Sequence, residues 1–241
     1  MLPDGLEQAF LTHHQTKDFD EFVKAHKQLV SRTEKRRNAL LGGNCGDPDR
    51  IRVNTLVYRQ VLLHRSIYLF EGSASAAVNE NVYSMTLNIR GHFETTASLG
   101  YLHRRLRSLS KGDITAEMLD KDLCIQMLGV RHESIPEAPD PKHILSMFKY
   151  ADESINISVL SQTAKQHCIL EDCYEFLCEF SHPNWHSNDA AIDLDESVPE
   201  YRFRHEQPMR DEHFNLIEYL LLSAHFFVAL YDQIPGLFPI N

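Results

Sequence analysis

The chain has 241 residues, of which 34 are acidic and 24 are Lys or Arg, and 43% of its side chains are hydrophobic. This length and balance are typical of one globular domain with a sizeable core, and they exclude a disordered, collagen-like or low-complexity chain. The cysteines number five, an odd count that argues against a disulfide framework, and no basic segment precedes an apolar one at the start. We therefore expect a cytoplasmic protein with reduced thiols.

The net charge of −10 is divided unevenly along the chain. Residues 17–111 carry 16 Lys and Arg against 9 acids, whereas residues 112–241 carry 8 against 23. The basic half could face RNA or DNA. Alternatively, the two halves complement each other within one domain or across a homodimer, and we favour this second interpretation.

Apolar residues recur at three- and four-residue spacing along most of the chain, and no alternating strand pattern stands out. The periodicity predicts helices over residues 17–41, 50–71, 78–110, 115–128, 141–166, 169–182 and 209–232. Gly42 and Gly43 are expected to end the first helix, Asp47 and Pro48 to start the second, and residues 71–75 to end it.

These elements predict one all-α domain over residues 1–241, built as an antiparallel helical bundle. The core of the bundle is expected in residues 50–110 and 169–232. Peripheral helices at 17–41 and 115–166 would pack outside it, and an irregular stretch at 183–208 would cross one end.

The last predicted helix is apolar on nearly every side, so we place it at the centre of the bundle. Its uncharged stretch, Tyr219–Tyr231, is shorter than the ~18–20 residues that a membrane span requires. Glu218 and His225 would also lie in hydrocarbon. We therefore expect no membrane span.

Arg90 and Glu94 are four residues apart on the helix predicted at 78–110, so their side chains meet on one face. Gly91 and Gly100 would let another helix approach this segment closely. A partly buried pair of this kind can orient two helices, or it can place a guanidinium beside a phosphate. We favour the structural role.

The helix predicted at 169–182 stops where Pro183 forbids its continuation, and it delivers Ser181 and His182 at its end. An imidazole at a helix C-terminus is stabilised as a cation, which suits a general acid or base or a phosphate contact. Alternatively, Ser181 and His182 cap the helix by bonding its last carbonyl groups. The residue types alone favour neither role.

An Arg-x-x-x-Glu helix followed by a Tyr-x-x-Leu-x-x-Phe-Ser-His-Pro helix end resembles a poorly characterised group of bacterial all-helical proteins. That group is related to the abortive-infection-like branch of the HEPN superfamily, and the resemblance covers roughly residues 78–190. The matching positions are Arg90, Glu94, Tyr174, Ser181, His182 and Pro183. The resemblance implies a HEPN-like bundle, a homodimer and a metal-independent ribonuclease of toxin–antitoxin or phage-defence systems. RNA would be the substrate, and an antitoxin or another protein a partner.

The chain departs from the superfamily signature, in which an arginine and a polar residue precede a histidine by four to six intervening residues. Residues 166–181 contain no arginine, so the signature is absent before His182. Its one literal match is the pair Arg59 and His64. On a regular helix these two side chains diverge by ~140°, so both reach one phosphate only if the helix bends or starts there.

Two functions remain open. In a ribonuclease, the imidazole of His182 or His64 would act on the ribose 2′-hydroxyl while an arginine stabilises the phosphorane-like charge. Ser181 and Asn184 would then position the phosphate.

The alternative is a non-catalytic helical binding or dimerisation protein. In that protein, Arg90, Glu94, Ser181 and His182 would form a structural polar cluster. Under both hypotheses we expect Arg90 and Glu94 to converge in space with the Ser181–His182 helix end, because polar groups on a packed face require partners.

Cys178, His182 and His186 are residue types that bind metals, and they would share a face of a continuous helix. Pro183 makes that continuity doubtful, and the spacing matches no compact zinc pattern. The sequence also lacks a glycine-rich phosphate loop and a His-Glu-x-x-His motif. We therefore expect neither a metal nor a cofactor.

Overall fold

The computed structural model describes residues 1–37, 44–130, 135, 137–160, 168–195, 197, 200–204 and 208–238. It is 73% helix and 3% strand, which confirms the all-α class. The helices are α1 (Leu6–Thr12), α2 (Thr16–Val30), α3 (Pro48–Val78), α4 (Val82–Lys111), α5 (Ala116–Leu128), α6 (Ile144–Ser158), α7 (Ile169–Ser181), α8 (Trp185–Asp189), α9 (Asp211–Phe214) and α10 (Ile217–Gln233). A 3₁₀ turn, Ile234–Leu237, follows α10, and β1 (Ile192–Asp195) pairs antiparallel with β2 (Glu200–Phe203).

The long helices α3 and α4 form an antiparallel hairpin that frames the fold. The Asp47 side chain caps α3 by accepting from the backbone N–H of Asp49 at 2.9 Å, with Pro48 in the first turn, as predicted. The helix then continues through Gly72 to Val78 instead of ending near residue 71. Gly72 faces α4, where an added Cβ would lie 2.8 Å from the Asn88 side-chain oxygen. This glycine therefore permits close helix packing and does not end α3.

The centre of the bundle is α4, which packs against α3, α6, α7 and α10. The prediction that the last helix is central is wrong, because α10 exposes Glu218 and His225 along one face. The prediction that residues 115–166 pack outside the bundle is also wrong for α6, which lies directly against α4. A Cβ added at Gly100 would lie 2.5 Å from the Cβ of Ala151, so the two helices meet at the small residue that the sequence indicated.

Several boundaries differ from the predictions. The helix predicted at 17–41 is α2, which ends at Val30, and the Arg32 side chain beyond its end pairs with Asp232 at 2.6 Å. The short helix α1 precedes it and was not predicted. Gly42 and Gly43 lie outside the described residues, as does the end predicted at 166. The stretch predicted as irregular at 183–208 contains α8 and the β1–β2 hairpin. Each strand has four residues, and β2 is exposed throughout, so no alternating apolar pattern marked it.

Within the described chain, one stretch is long and apolar enough to cross a membrane, Asp211–Leu237, and its most apolar 18 residues have a mean hydropathy of 1.4. Of its most apolar part, 61% is buried inside the structure. Because α10 packs on α2 and α4, this burial is that of a core helix. All five cysteines lie in described segments, and each is a free thiol.

Candidate functional site

Arg90 and Glu94 meet on α4, as their spacing predicted, and Tyr174 of α7 completes the group. The Arg90 Nη2 atom donates to the Tyr174 hydroxyl at 3.0 Å, and that hydroxyl donates to Glu94 Oε1 at 3.2 Å. The Arg90 Nε atom lies 3.4 Å from the same carboxylate oxygen. Burial raises the pKa of Tyr174 to about 12 against the opposing effect of Arg90, so the hydroxyl stays protonated and can donate.

The Ser181–His182 helix end does not join this group. Tyr174 lies seven residues before Ser181, which corresponds to roughly 10 Å of helix rise. The Ser181 hydroxyl donates to the Leu177 carbonyl at 3.1 Å, which is the capping role considered for it. The His182 imidazole is exposed and has no hydrogen-bond partner among the described residues. Asn184 Nδ2 donates to Glu179 at 2.7 Å. The predicted convergence is therefore correct for Arg90 with Glu94 and wrong for the helix end.

Arg59 and His64 also point apart. The Arg59 guanidinium carbon lies 3.5 Å from the ring centre of Tyr231 on α10, where burial lowers the pKa of Arg59. His64 is exposed on the outer side of α3. Because α3 runs without a break through both positions, the divergence expected for a regular helix holds, and the two side chains do not share a phosphate.

A buried histidine that sequence reasoning did not single out lies between α3, α4 and α10. His92 has no exposed surface, and its ring nitrogens lie 2.7 Å from the Ser66 hydroxyl and 2.8 Å from the Ser223 hydroxyl. Burial lowers the pKa of His92 to about 3, so the ring is neutral at physiological pH. Serine and histidine side by side suit nucleophilic catalysis, but this group is sealed from any ligand, and its role is to pair polar atoms inside the bundle.

The metal site considered at Cys178, His182 and His186 is not assembled, since the ring of His186 stacks on Phe180 at 5.3 Å. The described residues bring together a different group, Asp189, Glu212 and His213, whose ligand atoms lie within 4.8 Å of one another. Arg210 pairs with Asp189 at 2.9 Å and with Glu212 at 3.1 Å. The Arg210 guanidinium already pairs with both carboxylates, so this cluster does not indicate a metal.

Two neighbouring cavities open on the outer side of α3. The larger, which we call the basic groove, has a volume of about 770 Å³. It lies between α3 and the segment after α2, and its polar and aromatic lining consists of Glu34, Lys35, Arg36, Arg37, Gln60, His64, Arg65 and Tyr68. Tyr68 is 72% exposed and Val61 is 54% exposed. The run of basic residues at 35–37 is the sequence signal that could have located this groove.

The smaller cavity, which we call the Arg90 pocket, has a volume of about 470 Å³. It lies between α3, α4, α5, α6 and α7, and its polar lining consists of Tyr58, Arg65, Arg90, Glu94, Thr95, Ser98, Gln126 and Tyr174. Val61 and Arg65 line both cavities, so the two openings adjoin. Ser181, His182 and Asn184 line neither of them.

No protein-family model, curated protein or solved structure matches the chain.

Proposed function

We propose that the protein is a helical binding protein for single-stranded RNA and that the basic groove is its binding surface. The observation that carries this proposal is the concentration of cations around one open cavity. The groove is lined by four cations and one carboxylate, in a chain whose net charge is −10: Lys35, Arg36, Arg37, Arg65 and Glu34. Glu34 pairs with Arg37, which leaves the other three cations without a carboxylate in the groove lining. A local excess of positive charge on an acidic protein favours an anionic ligand at that site.

An exposed aromatic side chain distinguishes RNA from a simple anion as the ligand. Tyr68 is 72% exposed beside Arg65 in the groove. Proteins that bind single strands combine cations along the phosphates with aromatic rings on which bases stack. Tyr68 offers such a platform, and the exposed Val61 extends its apolar surface.

The HEPN resemblance fits this ligand, because many members of that superfamily act on RNA. A HEPN-like bundle, a homodimer and a cytoplasmic location are therefore parts of the proposal. Light scattering after gel filtration tests the dimer directly.

Cleavage of the bound RNA is a second candidate function, and the position of His64 favours it over His182. The His64 imidazole lines the groove beside Arg65, whereas His182 lies outside both cavities. His64 would take the proton of a ribose 2′-hydroxyl, and the 2′-oxygen would attack the adjacent phosphorus as the bond from phosphorus to the 5′-oxygen breaks. The leaving 5′-oxygen would take a proton from water. The products would be a 2′,3′-cyclic phosphate and a 5′-hydroxyl, with Arg65 stabilising the charge that develops on the phosphate.

The test of RNA binding is fluorescence anisotropy with a labelled single-stranded RNA at two salt concentrations. The double variant Arg36→Glu/Arg37→Glu should weaken binding by about tenfold or more and reduce the salt dependence. The matched control, Lys24→Glu/Lys27→Glu, makes the same charge change at exposed positions of α2 that do not line the groove. Equal losses of RNA affinity in both variants would show that the RNA responds only to the overall charge of the protein and not to the groove. If the wild-type protein does not bind RNA, the proposal is overturned.

A further inference from the structure

The Arg90 pocket retains hydrogen-bonding capacity that its own side chains do not use. Glu94 Oε1 accepts from the Tyr174 hydroxyl, whereas Glu94 Oε2 has no hydrogen-bond partner in the described chain. The Arg90 Nε atom lies 3.4 Å from Oε1 and is buried without a hydrogen-bond partner among the described residues. Arg65 uses Nε to donate to Thr95 at 3.0 Å, and its two terminal nitrogens have no partner among the same residues. The pocket thus presents a fixed acceptor with unused donors nearby.

The size and walls of the pocket suit a flat ring. Its volume of about 470 Å³ lies within the range of small-ligand sites, and its apolar lining includes Leu62, Met127, Ile144 and Met147. Thioether and branched side chains pack well against the faces of an aromatic ring. The polar atoms would then meet the edge of that ring.

We propose that the Arg90 pocket binds a guanine base, with Glu94 and Arg90 contacting its Watson–Crick edge. Guanine presents two adjacent donors, N1–H and the N2 amino group, which one carboxylate accepts together. Its O6 accepts from a guanidinium. Glu94 can accept both donors because an ionised carboxylate offers about four acceptor positions, and the Tyr174 hydroxyl occupies one of them.

The other bases fit this arrangement less well. Adenine and cytosine each place a ring-nitrogen acceptor beside their amino donor, and that lone pair would face the Glu94 carboxylate. Uracil offers one donor, N3–H, flanked by two acceptors. Unpaired buried acceptors are costly, so the carboxylate selects against these edges.

Arg65 connects this pocket with the basic groove. Because Arg65 lines both cavities, a base in the Arg90 pocket would bring its phosphate to the Arg65 guanidinium and to the groove. This inference rests on the proposed function in that the guanine would belong to the bound RNA. Free nucleotides nevertheless test the pocket without RNA.

The experiment compares 5′-GMP, 5′-AMP and guanosine by isothermal titration calorimetry on the full chain. We expect GMP to bind about tenfold more tightly than AMP, the discrimination typical of a good two-point base contact. Glu94→Gln should lower the GMP affinity to that of AMP, because an amide cannot accept both donors. The matched control is Glu153→Gln, since Glu153 pairs with Arg104 at 3.0 Å away from the pocket.

Arg65→Ala provides a second variant at an exposed position, where folding is not at risk. Arg65→Ala should lower the affinity for GMP several-fold and leave the affinity for guanosine unchanged, because only the nucleotide carries a phosphate. Equal affinities of the wild-type protein for GMP and AMP would overturn the guanine assignment even where RNA binds the groove. Conversely, a preference for GMP in a protein that binds no RNA would support the pocket and overturn the proposed function.

Discussion

The inner and outer sides of the α3–α4 hairpin use polar residues in opposite ways. On the inner side, His92 is enclosed by Ser66 and Ser223, so both of its ring nitrogens have partners. On the outer side, Arg65 and Glu94 each keep polar atoms without partners among the described residues, next to an open cavity. A closed set of hydrogen bonds stabilises a fold, whereas an incomplete set beside a cavity indicates a ligand.

This difference decides which histidine deserves a functional test. His92 has the neighbours of a catalytic base but no access to solvent. His64 is open to solvent and lies among the cations of the basic groove. Arg59, which matches the superfamily signature together with His64, instead packs on the ring of Tyr231. Accessibility and charge therefore outweigh the literal sequence match.

The largest expected effect is acid destabilisation through the inner side. The pKa of His92 falls from 6.5 to about 3 on folding, so the unfolded chain binds more protons than the folded chain between those values. The contribution of neutral His92 is complete above pH 6.5 and is lost as the pH falls toward 3. Urea unfolding at pH 7 and pH 4.5 should show this as a loss on the order of 2 kcal/mol. His92→Gln should be less stable at pH 7, and its free energy of unfolding should depend less on pH because the titrating ring is gone. An equal pH dependence in the variant and the wild type would contradict the role given to His92.

The next effect concerns the outer side and leaves stability unchanged. Tyr68→Ala should weaken RNA binding by about 1–3 kcal/mol, the usual contribution of a stacked base, while the unfolding midpoint stays constant. Trp185→Ala is the matched control, because Trp185 is also an exposed aromatic residue, at 75%, but does not line the basic groove. Similar losses in both variants would mean that bases do not stack on Tyr68.

Removing Arg90 tests how open the outer side is. A fully buried Arg–Glu pair loses about 3–5 kcal/mol when one partner is removed. Here the side chains of Arg90 and Glu94 are 25% and 29% exposed, so water can solvate the remaining carboxylate. We expect Arg90→Ala to cost about 1 kcal/mol in chemical unfolding. A loss near the buried value would show that the pocket is closed to water.

The sequence located elements with strong periodicity and failed where packing decided the outcome. The helix predicted at 169–182 is α7, Ile169–Ser181, and the one predicted at 115–128 is α5, Ala116–Leu128. By contrast, Gly72 looked like a helix end because a glycine in a short run of small residues usually marks one. Gly72 instead makes room for the Asn88 side chain on α4, and only folding brings these two residues together.

The candidate site was predictable only in its local pair. The four-residue spacing of Arg90 and Glu94 fixed their contact, because both belong to one helix. The Arg90 pocket draws its walls from five helices, so no single segment carries its signal. The prediction for the Ser181–His182 end was wrong for the same reason. Which part of α7 lies against Arg90 and Glu94 depends on how α7 packs on α4, and the sequence does not give that packing.

The smallest expected effect on stability belongs to His182, and it completes the contrast with His64. His182 is exposed at the end of α7 and makes no side-chain hydrogen bond with the described residues, so His182→Ala should change stability by about 0.5 kcal/mol or less. If the protein cleaves RNA, His64→Ala should abolish products with 2′,3′-cyclic phosphate ends, and His182→Ala should retain them. Both variants should bind RNA within about threefold of the wild type, since neither removes a permanent charge. Loss of cleavage in a folded His182→Ala protein would instead indicate that the reaction takes place at the end of α7. A wild-type protein that binds RNA without cleaving it would assign the groove to binding alone.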